Sequence, residues 1–278
     1  MVANVLDRYG VMGYPVSHSR SPIIHQLFAI QTKQDLQYEL LQVPPAQLEK
    51  AIEQFGRTGG KGLNITVPHK REVVRLVDQM SDDAARAGAV NTLVFRDDGI
   101  YGDNTDGIGL IRDLHSNIGV RLQDANILIL GAGGATRGIV PPLLEAEPET
   151  IVIANRTIEK AQALAEEYSR DGPVVSCKFK DVGTLPVYDL IINATSAGLR
   201  GETPPYPAEA IHPHTVCYDL SYGLTPTPFA RWAAEHGAAR SIMGWGMLVE
   251  QAAESFYIWR GVRPQTAPVL KQLTVNIS

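Results

Sequence analysis

Asn126-Ile-Leu-Ile-Leu-Gly-Ala-Gly-Gly-Ala-Thr-Arg-Gly138, read with Ile151-Val-Ile-Ala-Asn-Arg-Thr157, decides the fold of this chain. The first stretch reads as a buried strand, a glycine turn and a helix start. The second reads as the next parallel strand. Gly131 permits the tight turn out of the strand. Gly133 and Gly134 lack a Cβ, so the backbone there can approach an anion closely. The helix that follows turns its unpaired N–H groups and positive dipole end toward such an anion. Thr136 stands where a third glycine is usual, so the spacing alone is imperfect. The apolar strand before the turn and the helix after it supply the context that a glycine motif needs. The pattern points to a bound dinucleotide.

The second strand indicates which dinucleotide. An NAD site places Asp or Glu at this strand end, about 20 residues past the glycines, to accept from the ribose 2′-OH. Here the strand ends in Asn155 and Arg156, and Glu159 comes only in the following helix. A guanidinium pairs with a 2′-phosphate where a carboxylate would repel it. Thr157 adds a hydroxyl, and Lys160 adds positive charge one helical turn on. The expectation is NADP(H); the alternative is that Arg156 and Lys160 form a solvated surface face.

Length and composition bound the rest. The 278 residues suffice for one large or two ordinary domains, with 44% hydrophobic and 20% charged residues fitting a globular protein. The net charge of −5 leaves no basic stripe for nucleic acid. No apolar run reaches bilayer-spanning length, and the start of the chain lacks signal-peptide features. Cys177 and Cys217 read as free thiols in a reducing compartment, so a cytoplasmic location is expected.

Strand-like and helix-like segments alternate throughout. Strands are expected at Tyr9–Gly13, Leu36–Val43 and Gly62–Val67, the last stopped by Pro68. Helices are expected from Ser21-Pro22 to about Thr32, with Ser21 as N-cap, and from Gln47 to Gly56. Ser81 caps a short helix. Val90–Phe95 and Ile100–Gly102 form a hairpin around Asp97-Asp98-Gly99, and a helix runs from Gly107 to about Asn117. From Asn126 a βαβ rhythm follows, with strands at Ile151, Val174, Asp189–Asn193 and Val216–Leu220. A helix at Pro228–His236 leads to a short apolar stretch, and a helical tail runs from Met247 to Arg260. The fold class is α/β: two α/β domains with mainly parallel sheets, the second Rossmann-like, and a cleft between them.

Several polar clusters can carry chemistry. Ser19 and Ser21 precede a helix and can converge on a carboxylate, or serve as a turn residue and a cap. Asn64-Ile-Thr66-Val-Pro68-His-Lys70 places polar side chains beside a buried strand end. Lys70 is expected in the first turn of a helix, where the dipole disfavours its charge and readies it for proton exchange; a surface lysine is the alternative. His69 reads as structural or solvated. Asn91 supplies an amide. Asp106 is either the partner of Lys70 or a helix cap. Tyr222 offers a phenol after a buried strand. Met247 serves equally as core filler. His212 and His214 lack a third ligand nearby, and no metal site is expected.

Taken together, the chain resembles the shikimate dehydrogenase family. The matching segments are His18-Ser-Arg-Ser-Pro22, Asn64-Ile-Thr-Val-Pro-His-Lys70, Gly88-Ala-Val-Asn-Thr92, Gly102-Asp-Asn-Thr-Asp-Gly107, Gly131-Ala-Gly-Gly-Ala135, Asn155-Arg-Thr157, Asn193-Ala-Thr-Ser196 and Gly246-Met-Leu-Val249 with Gln251. They occur in order and cover nearly the whole chain. The resemblance implies a substrate domain of residues 1–106 and 243–278, and an NADP domain of residues 107–242. It implies reversible reduction of 3-dehydroshikimate to shikimate. By position, Ser19 and Ser21 would bind the substrate carboxylate, and Asn64, Thr66, Asn91, Asp106, Tyr222 and Gln251 its hydroxyls and ring. Lys70 would be the general acid/base beside Asp106. Gly131, Ala132, Gly133, Gly134, Ala135, Asn155, Arg156, Thr157, Lys160, Thr195, Leu220, Gly244 and Met247 would hold the cofactor.

Three positions depart from the family pattern. Leu220 replaces a frequent methionine, Gly223 a polar residue and Trp245 a leucine. The implied partner is a small molecule, and a homodimer is compatible with the resemblance. Two other readings stand beside this one: a shikimate/quinate dehydrogenase using NAD, and a catalytically silent NADP-binding regulator.

Overall fold

The computed structural model describes residues 6–184, 187–195 and 206–275. Ser196, in the Asn193–Ser196 motif, lies outside the described residues. Two compact units divide the chain: Met1–Gly109 with Leu248–Gln272, and Leu110–Met247 with Leu273–Ser278. The divisions fall after Gly109, after Met247 and after Gln272, where the sequence suggests two, after 106 and after 242, with the tail to 278 in the substrate domain. All three lie inside helices, so no break in composition marks them.

The first unit alternates β1 (Asp7–Gly13), α1 (Ser21–Thr32), β2 (Leu36–Gln42), α2 (Leu48–Arg57) and β3 (Gly60–Ile65). Then come β4 (Gln79–Met80), α3 (Asp82–Ala87), β5 (Thr92–Arg96), β6 (Gly99–Asp103) and the start of α4 (Asp106–Arg112). Its six strands lie in the order β2-β1-β3-β5-β6-β4. The sheet is mixed. β1 pairs parallel with β2 and β3, and β4 with β6, while β5 runs antiparallel to both β3 and β6. The short hairpin connection between β5 and β6 makes antiparallel pairing the only course there. Met12, Leu63, Ile65 and Leu93 from the strands pack with Ile52 and Phe55 of α2 in one core.

α1 departs from expectation at its start. Ser21 is its first residue, Pro22 follows, and Arg20 takes the cap position without a side-chain cap bond. Ser81 does cap α3, accepting from the Ala84 N–H at 3.1 Å.

The second unit holds β7 (Asn126–Leu130), α5 (Gly134–Glu145), β8 (Thr150–Asn155), α6 (Ile158–Tyr168), β9 (Val174–Lys178), β10 (Leu190–Asn193), β11 (Val216–Asp219), α7 (Pro228–Glu235) and β12 (Arg240–Met243). α8 (Trp245–Arg260) begins here, and α9 (Thr266–Thr274) ends the described chain. All six strands pair parallel, in the order β12-β11-β10-β7-β8-β9. Parallel strands buried on both faces need apolar residues at every position. Ile127 and Ile129 of β7 face one core with α5 and α6, and Leu128 and Leu130 face another with Phe229 and Ala233 of α7. The chain winds outward from β7 in one direction and from β10 in the other. Such a reversal creates a switch point at the carboxyl ends of β7 and β10, where open α/β sheets bind ligands.

Candidate active site

In the first unit the ends of β3, β5, β6 and the start of α4 bring the polar clusters together. Lys70 follows β3 through a cis Val67–Pro68 bond and lies in the turn before a short 3-10 helix, Glu72–Leu76. The expected dipole effect therefore has no α-helix to act from. What holds the ammonium is Asp106: Lys70 Nζ stands 2.5 Å from Asp106 Oδ2, with the side chains 20% and 9% exposed. Asp106 Oδ1 accepts from Asn91 Nδ2 at 3.0 Å, so both carboxylate oxygens meet side chains rather than cap α4.

Asn91 can sit only one way round. Its Oδ1 accepts from the Thr105 N–H at 2.8 Å, a group that can only donate, and its Nδ2 faces a carboxylate, which only accepts. Thr105 Oγ1 and Gln251 Oε1 complete its surroundings, at 3.0 and 3.5 Å. Asn64 is buried beside it. Its Oδ1 accepts from the Tyr38 hydroxyl at 2.7 Å, and its Nδ2 faces Ser255 Oγ at 2.9 Å and Thr92 Oγ1 at 3.2 Å. Ser19 and Ser21 meet as expected: Ser19 Oγ lies 3.2 Å from Ser21 Oγ and accepts from the Ser21 N–H at 3.3 Å. Thr66 is half-buried at the end of β3, its N–H donating to the Met12 carbonyl at 2.9 Å. His69 is structural: buried, with Nε2 2.7 Å from the Val43 carbonyl, it donates inward.

Tyr38, Thr92, Thr105 and Ser255 escaped the sequence reading. Thr92 and Thr105 adjoin Asn91 and Asp106, and Ser255 stands four residues after Gln251, on the same face of α8. That spacing was the available signal. Tyr38 carried none, because only strand register sets it across β1 from Asn64.

In the second unit the glycine turn joins β7 to α5. Gly131 has φ +107°, a region that L-residues with side chains rarely adopt, and its added Cβ would lie 3.1 Å from the Ala194 carbonyl. The Ala194 N–H donates to the Leu130 carbonyl at 2.8 Å and ties the end of β7 to the residues following β10, at the switch point. Gly133 precedes α5 with no described residue within 4 Å of where a Cβ would stand, and it provides no side-chain cap. Ala132, Gly134 and Ala135 complete the turn and first helical residues. Thr136, in place of a third glycine, is fully buried and donates to the Gly131 carbonyl at 2.8 Å. Its hydroxyl stabilises the turn.

At the end of β8, Arg156, Thr157 and Lys160 are exposed. Asn155 Nδ2 is turned to the Thr157 carbonyl, at 2.8 Å, so this amide shapes the turn. Thr157 precedes α6 without a side-chain cap bond. The unpaired N–H groups of α5 suit a pyrophosphate, and the cations at the end of β8 suit a 2′-phosphate. These residues fit a phosphorylated dinucleotide.

Other expected residues are shared between contact and packing. Thr195 Oγ1 donates to Asn193 Oδ1 at 2.8 Å, beside the switch point. Leu220 is half-buried against the core, and Met247 is itself a core residue. The Gly244 N–H donates to the Ser221 carbonyl at 3.0 Å. Tyr222 packs on Trp245, centroids 4.7 Å apart, and Trp245 Nε1 donates to the Gly223 carbonyl at 3.2 Å. The departures at 223 and 245 thus meet each other. Cys177 and Cys217 are free, burial pushing their thiols up to about 11 and about 12. His214 lies 4.0 Å from Asp189, and among the described residues no group of three or more His, Cys, Asp or Glu is placed to hold a metal.

The family comparisons agree with this geometry. The model for the shikimate dehydrogenase substrate binding domain matches residues 11–93, that for shikimate/quinate 5-dehydrogenase residues 113–200, and that for the shikimate 5'-dehydrogenase C-terminal domain residues 244–274. The chain is 55% identical to an NADP(+) shikimate dehydrogenase of Methylococcus capsulatus, over 96% of each chain. Its structure is similar to an Ael1 enzyme from Pseudomonas putida, with TM-score 0.91 and 44% identity over 98% of this chain and 100% of that one. It is also similar to shikimate 5-dehydrogenase from Thermus thermophilus in complex with NADP(H) and shikimate, with TM-score 0.87 and 31% identity over 98% and 100%. With its Lys70–Asp106–Asn91 chain in one unit and its glycine turn and Arg156 in the other, this chain belongs to the NADP-dependent shikimate dehydrogenases.

Proposed function

We propose that Lys70 is the general acid/base of the reversible reduction of 3-dehydroshikimate to shikimate, with Asp106 holding its ammonium. The short Lys70–Asp106 contact, closed on the far side by Asn91, carries this reading. NADPH, when bound, supplies the hydride that reduces the substrate carbonyl. In that direction the Lys70 ammonium donates a proton to the carbonyl oxygen as it becomes an alcohol; in oxidation the amine takes it back. Before the proton moves, the ammonium also stabilises negative charge developing on that oxygen.

The paired hydroxyls of Ser19 and Ser21, at the start of α1, suit the substrate carboxylate. Asn64, Thr66, Asn91, Asp106 and Gln251 suit its hydroxyls, and in the second unit Tyr222 carries a phenol suited to the same kind of group. The turn Gly131–Ala135 would take the pyrophosphate, and Arg156, Thr157 and Lys160 the 2′-phosphate, with Thr195, Leu220, Gly244 and Met247 lining the rest. Asn155 shapes the turn below Arg156. A cytoplasmic location is supported by the two free thiols and by membership of a family of biosynthetic NADP enzymes. Among the described residues no helix is long and apolar enough to cross a membrane.

The test is nicotinamide absorbance during oxidation of shikimate or quinate, each with NADP and with NAD. Reduction of NADP by shikimate in the wild type, lost in Lys70→Ala, supports the assignment. An Ala variant that keeps its rate overturns it. Equal rates with NAD would remove Arg156 from the cofactor site.

A further inference from the structure

His25 takes no part in the chemistry described so far. It is fully enclosed, and among the described residues neither ring nitrogen meets hydrogen-bond geometry, although the Asn64 side chain lies close enough to favour its protonated form. Burial pushes its imidazole down to about 3, so the ring is neutral at working pH. A polar ring left unpaired in a core calls for an explanation. It stands one helical turn after Ser21, on the same face of α1. It stacks flat on Tyr38, centroids 4.2 Å apart and planes 8° apart, while Phe28, Phe256 and Trp259 enclose it.

Tyr38 in turn reaches the substrate cluster. In the sheet, β1 separates β2 from β3. Tyr9 is paired with Tyr38 and Val11 with Asn64, so Tyr38 and Asn64 share a face. The phenol donates to Asn64 Oδ1 at 2.7 Å. Asn64 Nδ2 faces the Asn91 carbonyl, which only accepts, at 3.3 Å, and the Ser255 and Thr92 hydroxyls. Both amide protons are therefore turned toward protein oxygens. Oδ1 has one further lone pair; the His25 ring lies beside this amide without meeting hydrogen-bond geometry, so that lone pair is left to a better-placed donor.

We infer that Tyr38, braced by the His25 ring, is a positioning residue for the substrate: it fixes the Asn64 amide so that Oδ1 accepts from a substrate hydroxyl. The inference rests on the reading of Asn64 as a substrate contact. Tyr38 acts through Asn64 and touches no reacting atom.

Three variants test it: Tyr38→Phe, which removes one oxygen; His25→Phe, which keeps a ring to stack; and Asn64→Ala. Steady-state KM and kcat are measured for shikimate and NADP separately. Tyr38→Phe is expected to raise the shikimate KM about tenfold, leaving kcat within about threefold and the NADP KM within about twofold. His25→Phe is expected to change the shikimate KM less than about threefold, since the brace survives. Asn64→Ala is expected to raise the shikimate KM at least as far as Tyr38→Phe, and the double variant no further than Asn64→Ala alone. A shikimate KM unmoved by Tyr38→Phe but raised by Asn64→Ala overturns the inference alone. An equal rise in both KM values for Tyr38→Phe marks a merely structural role and also overturns it. If Asn64→Ala leaves the shikimate KM unchanged, the reading of Asn64 fails and the inference falls with it.

Discussion

Lys70 Nζ lies 2.5 Å from Asp106 Oδ2, while Asp106 Oδ1 accepts from Asn91 at 3.0 Å. The carboxylate is thus fixed from both sides, and the ammonium is aimed rather than free to wander. Lys70→Ala removes the group that exchanges the proton and should lower kcat by about 10²-fold or more. NADPH binding, followed by its fluorescence, should change little, because the residues assigned to the cofactor belong to the other unit. Asp106→Asn keeps the shape but not the charge, so it should lower kcat and largely spare NADPH binding. Single-turnover absorbance separates this chemical effect from binding; a normal rate in Lys70→Ala would falsify the assignment.

Much of this was legible because strands and turns announce themselves locally. The run Ile127–Leu130 has to be buried on both faces, and Gly131 has to turn, so the second sheet follows from residues near one another. Residues far apart in the chain, such as Lys70 and Asp106, could be paired by charge as one of two readings, the other being a helix cap, and the family resemblance favoured the pair. Neighbours set by register alone left no mark. Tyr38 reaches Asn64 only after β1 has paired with both β2 and β3. Lys70 was misplaced for a related reason: Pro68 and the following turn delay the helix, and a 3-10 turn from Glu72 takes its place. Ser before Pro is a common helix opening and suggests a cap, yet Ser21 is itself the first helical residue and Arg20 takes the cap position.

Arg156 is exposed at the end of β8, where an NAD site would carry a carboxylate. Arg156→Ala should raise the NADP KM about tenfold or more and leave the NAD KM nearly unchanged. Arg156→Asp should go further and turn preference toward NAD, since the new carboxylate repels a 2′-phosphate and can accept from a 2′-OH. The measurement is kcat/KM for each cofactor at saturating shikimate. A ratio that stays at the wild-type value would place the 2′-phosphate elsewhere.

Gly131 and Gly133 make a paired test of the turn. An Ala at 131 must hold φ near +107° with its Cβ 3.1 Å from the Ala194 carbonyl, so Gly131→Ala should cost about 1–3 kcal/mol of stability as well as NADP affinity. At 133 the backbone is extended and among the described residues nothing lies within 4 Å of an added Cβ. Gly133→Ala should therefore keep the wild-type denaturant midpoint while weakening NADP binding, because the methyl occupies the pyrophosphate's approach. Loss of stability in both, or loss of affinity in neither, would remove the pyrophosphate from this turn.

His25 predicts the direction of acid sensitivity. Its imidazole is held down at about 3 by burial, against 6.5 in an open chain. Between those values the unfolded chain binds a proton at this site that the folded chain does not, so stability rises with pH and is lost as pH falls through the window. One proton corresponds to at most about 1.4 kcal/mol per pH unit. His25→Phe preserves the stacked ring and removes the proton site. Its unfolding free energy, measured by urea titration at intervals from pH 7 to pH 4.5, should fall less steeply than that of the wild type. The difference in slope should approach the one-proton limit below about pH 6. Parallel slopes would mean that the folded protein protonates His25 after all, and that the aromatic enclosure opens to let it.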